Sequence, residues 1–134
     1  MASDTRGGIR LTREIVTATD GLEITVDDGG EGRFVRLYGR LSIDSSPGFR
    51  DLLLATLRRQ SRAVVIVDLT GVSYIDASGV ATLVEGLKIA RNRQSILCLE
   101  GLEGRVLHLF EVTGLLTLFE SSGCKSASSA SKGS

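Results

Sequence analysis

The chain has 134 residues, 42% of them hydrophobic and 4% aromatic, with no tryptophan, which is enough for one domain with an aliphatic core and too little for two. Sixteen basic and sixteen acidic residues cancel, so no net field favours a nucleic acid or an anionic membrane, and the aromatic platforms on which single strands stack are missing. No apolar run approaches the roughly 20 residues of a membrane-spanning helix, and the first eight residues lack the apolar stretch of a signal peptide.

The small and polar residues at the amino end predict a flexible lead-in over residues 1–14. Ile15 to Thr19 is rich in β-branched residues and runs into Asp20-Gly21, a hairpin turn dipeptide. Leu22 to Val26 alternates apolar and polar residues with the period of a half-buried strand. Residues 27–32 form a loop by composition. Their glycines suggest a phosphate loop only superficially, because they lead into a strand and no Lys-Ser/Thr pair closes the motif. Phe34, Val35, Leu37 and Tyr38 form the next strand, ending at Gly39.

Ser45-Ser46-Pro47 marks a helix start, with a hydroxyl to cap free amides and proline where its missing N–H costs nothing. Phe49, Leu52, Leu53, Thr56 and Leu57 follow at helical spacing, and Arg58 and Arg59 suit the carboxyl end of the dipole. Ala63 to Val67 is an unbroken apolar run, the pattern of a strand buried on both faces, and Asp68 ends it. A loop from Leu69 to Asp76 leads to a second helix, running to about Arg93. Its apolar face predicts Leu83, Val84 and Leu87 against the sheet, with Glu85 and Lys88 in solvent. Ser95 to Leu99 is another buried strand, parallel to and beside Val64–Val67. A third helix over 103–113 stops at Gly114, and Leu115 to Phe119 reads as a last short strand. Residues 121–134 are mostly Ser, Ala, Gly and Lys and predict a disordered tail.

The order implies an α/β fold in one domain: a mixed sheet that opens with antiparallel strands, then alternating helices and strands with helices packed on the sheet. Cys98 lies in an apolar run where a free thiol behaves as a small hydrophobe, and Cys124 lies in the tail. Nothing in the sequence motivates a bridge between them, so the chain reads as a protein of a reducing compartment, the cytoplasm. His108 is the one histidine and sits between Leu107 and Leu109, as a flanking residue does. No Cys or His pair has metal-ligand spacing. The inventory therefore predicts no metal, no cofactor and no enzyme.

One stretch carries a motif. Val64 to Leu83 reads as buried strand, loop, and then Asp76-Ala77-Ser78-Gly79 at the mouth of an amphipathic helix. Asp or Ser there caps the first amides of the helix. The same amides and the helix dipole would also favour a phosphate on a hydroxyl at this end. The residues alone allow both roles.

The block from Val64 to Glu85, centred on Asp76-Ala77-Ser78-Gly79, resembles the STAS domain of bacterial anti-sigma factor antagonists. Gly39 to Asp44 is similar to that family's strand-exit segment, and Glu103 to Gly114 to its late helix. The resemblance covers roughly residues 22–120 and implies a STAS-like domain over 15–120. It also implies a partner: a serine kinase of the anti-sigma type, which phosphorylates a hydroxyl at the start of the second helix and so weakens the complex. A homodimer is a further assembly to be expected, and no membrane insertion is. The acceptor of the family follows the motif Asp directly, where this chain has Ala77, and the hydroxyl comes one place later, at Ser78. Either Ser78 takes over as acceptor or the chain binds without the usual switch. The expected docking residues are Asp44, Ser45, Asp76, Ala77, Ser78 and Gly79. A STAS subunit that serves a lipid transporter by contacting its ATPase is the alternative.

Overall fold

A computed structural model describes residues 12–17, 21–29, 32–59 and 63–120, the first of these segments by its backbone. The lead-in before Thr12 and the tail from residue 121 lie outside the described residues, as does Asp20 of the first turn. Five strands form one sheet in sequence order. They are β1 (Thr12–Thr17), β2 (Leu22–Gly29), β3 (Gly32–Leu41), β4 (Val64–Ile75) and β5 (Ile96–Glu100). β1 starts three residues before Ile15. The pairings β1–β2 and β2–β3 are antiparallel, and β3–β4 and β4–β5 are parallel. The mixed sheet expected from the sequence is therefore present, with Val64–Val67 registered beside Ile96–Leu99.

Each parallel pairing encloses a helix: α1 (Ser46–Arg59) between β3 and β4, and α2 (Ala77–Asn92) between β4 and β5. Two crossovers of the same hand that step in the same direction along a sheet place their helices on the same face. The core agrees. Val35, Leu37, Val65, Val67, Leu97 and Leu99 join α1, α2 and the later helices α3 (Gly104–Val112) and α4 (Leu115–Glu120) in a single apolar cluster. Their strand neighbours Phe34, Val64, Ile66 and Ile96 point to the other face and are only half-buried. Val64–Val67 is thus not buried on both faces, because the helices cover one.

Four further expectations are corrected. Asp27, Asp28 and Gly29 belong to β2 and Gly32 to β3 rather than to a loop. Asp68 does not end β4, which continues to Ile75 beside β3. Register shifts between Arg36 and Tyr38 and between Gly39 and Arg40 break the alternation there, so Leu69, Val72 and Ile75 are buried at intervals of three. Leu115–Phe119 is helical, and Phe119 packs its ring 6.2 Å from that of Phe110. A short apolar run fits either structure, and this packing decides it. Cys98 is disulfide-bonded rather than free; the only other cysteine in the sequence, Cys124, lies outside the described residues.

On α2 the buried residues are Gly79, Thr82, Leu83, Gly86, Leu87 and Ala90. Leu83 and Leu87 face the core as expected, and Lys88 is exposed. Val84 is only half-buried and outside the core cluster, so the inward face is turned towards Thr82 and Gly86. Glu85 is half-buried, and its carboxylate takes both nitrogens of a fork from Arg50 on α1, at 2.7 Å each. Arg93 closes the other end of the helix pair, donating to the carbonyls of Leu57 and Arg58 at 3.0 Å. A cation thereby meets the unpaired carbonyls at the end of α1, where the helix dipole favours one.

Candidate docking site

β3 and β4 end together, Leu41 opposite Ile75. Parallel strands that end side by side send both following segments out of the same end of the sheet, and α1 and α2 both begin there. The β3–α1 loop, Ser42 to Ser45, consequently lies against the start of α2. The backbone N–H of Asp76 donates to the Leu41 carbonyl at 3.2 Å, which ties the two exits together.

Asp76 is the N-cap of α2 in extended conformation. Its Oδ1 accepts from the amides of Ser78 at 2.9 Å and Gly79 at 3.2 Å, the interaction a capping carboxylate makes with a helix's first free donors. Its Oδ2 accepts from the amide of Ile43, at 3.0 Å, across the gap to the other loop. Gly79 must be glycine for a steric reason: a Cβ there would lie 2.8 Å from Leu41 Cγ and 2.9 Å from the Leu41 carbonyl oxygen. That close approach is what brings α2 down onto the end of β3.

The expected docking residues come together at this end, but not on one surface. Asp44 and Ala77 are exposed, Asp76 and Ser78 are half-buried, and Ser45 and Gly79 are buried. Ser45 works inside the loop: its Oγ donates to the Arg40 carbonyl at 2.7 Å and accepts from the Ser42 amide at 2.9 Å. Its carbonyl accepts from Phe49 N–H of α1, but its hydroxyl is engaged in the loop rather than on the first amides of the helix, contrary to the expectation for Ser-Ser-Pro, and Ser46 Oγ is buried with no hydrogen-bond partner among the described residues. The Ser78 carbonyl accepts from Thr82 Oγ1 at 2.9 Å. His108 is exposed on α3 and plays no part in the site.

Three residues at this end were not singled out from the sequence. Ile43 is 67% exposed, and Tyr74 is 40% exposed with the Arg40 guanidinium 4.4 Å above its ring. Arg40 and Tyr74 are register partners on β3 and β4, one step before the strands end. In sequence, Ile43 passes for one more apolar position in a strand exit, and Tyr74 lies in a stretch that reads as loop. No signal in the sequence marks Ile43, because a lone apolar residue at a strand exit is ordinary.

A family model described as "Mlab, STAS domain" matches residues 24–120. The chain belongs to the STAS domain family. An anti-sigma-B factor antagonist of Staphylococcus epidermidis is 33% identical over 95 residues, 71% of this chain and 84% of the relative. One from Listeria monocytogenes is 47% identical over 57 residues, 42% of this STAS chain and 50% of that relative, so the match spans half the relative's length. Among solved structures, an anti-sigma factor antagonist from Mycobacterium paratuberculosis superposes with a TM-score of 0.63 at 17% identity, over 78% of this chain and 87% of that one. At that identity the likeness is one of fold, and the fold is that of a STAS domain. Among the described residues no helix is long and apolar enough to cross a membrane, and no group of three or more His, Cys, Asp or Glu side chains could hold a metal ion.

Proposed function

We propose that this STAS domain, residues 15–120, is an anti-sigma factor antagonist, a regulator of transcription that acts by binding a serine-kinase anti-sigma factor and has no enzymatic activity of its own. The observation that carries this is the Staphylococcus relative of that name, matched over 71% of the chain. The arrangement around Asp76 supports a docking role: two strand exits and two helix starts gathered at one end, with exposed apolar and acidic groups between them. A cytoplasmic location follows from such a partner, and not from the cysteines.

The switch is the point on which this chain departs from its family. Ala77 is exposed, whereas Ser78 is half-buried, and both its backbone N–H and its carbonyl are engaged. Neighbouring helix positions point about 100° apart, so a kinase that reaches position 77 meets a methyl group. The chain therefore binds its kinase without being phosphorylated at the usual position.

The test is incubation with each purified serine-kinase anti-sigma factor of the same genome and ATP, followed by intact mass and binding measurements. Wild type should bind and stay unmodified. Ala77→Ser should gain one phosphate, transferred from the ATP γ position to the new hydroxyl with ADP released. Ser78→Asp should bind about tenfold more weakly or worse, because it adds charge where the partner closes. Phosphate on wild type that Ser78→Ala abolishes would show that Ser78 is the acceptor after all. A Ser78→Asp variant that binds as wild type does would remove this surface from the interface.

A second reading rests on the "Mlab" description of the matching family model: a STAS subunit of a lipid ABC transporter that docks its ATPase. Binding to such an ATPase, with none to any anti-sigma kinase, would select it.

A further inference from the structure

We infer that Asp76 is a positioning residue for docking: beyond capping α2, its second carboxylate oxygen holds the β3–α1 loop so that Ile43 is presented to the partner in a fixed place. This rests on the docking reading above and adds to it the route by which the motif acts on residues outside itself.

The two oxygens of Asp76 have separate tasks. Oδ1 serves the amides of Ser78 and Gly79, and Oδ2 serves the amide of Ile43. The second bond joins residues 33 apart in sequence, and it links an exposed stretch of the β3–α1 loop to the cap of α2. Other bonds shape the loop from within and tie it to β3: Ser45 N–H to the Ser42 carbonyl, Ser42 N–H to Ser45 Oγ, Asp44 N–H to Ser42 Oγ, and Ser45 Oγ to the Arg40 carbonyl. These bonds shape the loop, and the Asp76 Oδ2 bond reaches from it to α2. Ile43 meanwhile leaves two thirds of its surface in water at the same end as the exposed Tyr74, where a partner that closes on the site would bury apolar surface. An anchor contributes most when it is held in its bound position before contact, since ordering it on binding weakens affinity.

The chemistry of capping lets the two tasks be separated. Asn and Ser are as good N-caps as Asp. Asn keeps one oxygen, and if that oxygen caps the helix, the amide nitrogen faces the Ile43 N–H, donor against donor. Ser keeps its single oxygen close to the helix and has nothing to extend towards Ile43. Asp76→Asn and Asp76→Ser should therefore retain the α2 cap and lose the brace. Two variants guard against one of them failing to fold.

Amide hydrogen exchange by NMR reads the brace with no partner present. In both variants the Ile43 amide should exchange about tenfold faster or more, as expected on loss of a bond to a charged acceptor, while the amides of Ser78 and Gly79 stay protected. Binding to the purified anti-sigma kinases reads the consequence. Asp76→Ser and Ile43→Ala should each weaken the complex about tenfold, and the double variant should be no weaker than Ile43→Ala alone, because Asp76 acts through Ile43. Unchanged exchange at Ile43 in both variants would overturn the brace. Losses that multiply in the double variant would overturn its role in docking, leaving Asp76 as a direct contact. A wild-type chain that binds none of the kinases overturns the docking reading, and the exchange measurement then decides the brace by itself.

Discussion

Leu83 has no exposed surface and lies in the core between α2 and the sheet, so Leu83→Ala should cost about 2–5 kcal/mol. Val84, half-buried and outside that core, should lose about 1 kcal/mol or less on truncation to Ala. Urea denaturation of the pair checks which way α2 is turned, and a larger loss at Val84 would contradict the helix orientation. Gly86 is a sharper case, because two effects oppose each other. Alanine gains about 1 kcal/mol of helix propensity over glycine. A Cβ at Gly86, however, would lie 2.6 Å from Leu53 Cδ2 and 3.2 Å from Leu97 Cδ2. Both leucines are fully buried and have nowhere to go, and such overpacking costs about 1–3 kcal/mol. Gly86→Ala should be net destabilising, and a stabilised variant would show that α1 and α2 stand farther apart.

The elements show how far a pattern of residues leads. α2 was legible because apolar spacing, a capping Asp and basic residues near its end agree, and agreement between levels is what makes a segment readable. β4 was legible only as far as Val67, since the bulged pairing with β3 replaces the two-residue period with Leu69, Val72 and Ile75. α4 was misread because six residues cannot distinguish a strand from a helix until Phe110 lies beneath Phe119. The candidate docking end was legible at Asp76 and silent at Ile43, because the bond between them crosses 33 residues and leaves no local trace. At this scale the Arg50–Glu85 fork makes a prediction. The guanidinium, through its hydrogen bonds, holds the Glu85 carboxyl below the usual carboxylate range. A carboxyl whose folded pKa lies below its unfolded value stabilises the fold above the unfolded value, and that contribution is lost as pH falls through the folded one. The stability difference between wild type and Glu85→Gln should accordingly be present at neutral pH and vanish on acidification. Because both groups face solvent, it should be small and shrink in high salt. A difference that grows on acidification would contradict this pairing.

For the whole molecule, the sequential strand order sets inner strands against the loops at one end of the sheet. β2, β3 and β4 have neighbours on both sides, whereas β1 and β5 are the edges of the sheet. The parallel pair at the centre, β3 and β4, also supplies core residues to the helices, among them Val35, Leu37, Val65 and Val67, all fully or almost fully buried. Opening them requires global unfolding, while the loops at their carboxyl ends need only break a few exposed bonds. Native-state hydrogen exchange should therefore find the slowest amides in β3 and β4, intermediate ones in β5, and faster ones in the β3–α1 loop, Ser42–Ser45. Changing Asp76 should accelerate Ile43 without moving the amides of Val65 and Val67, because the brace lies outside the core. If the central strands quickened together with the loop, the docking end and the core would be one cooperative unit. Asp76 would then act through overall stability, and a binding defect in its variants would say nothing about how Ile43 is placed.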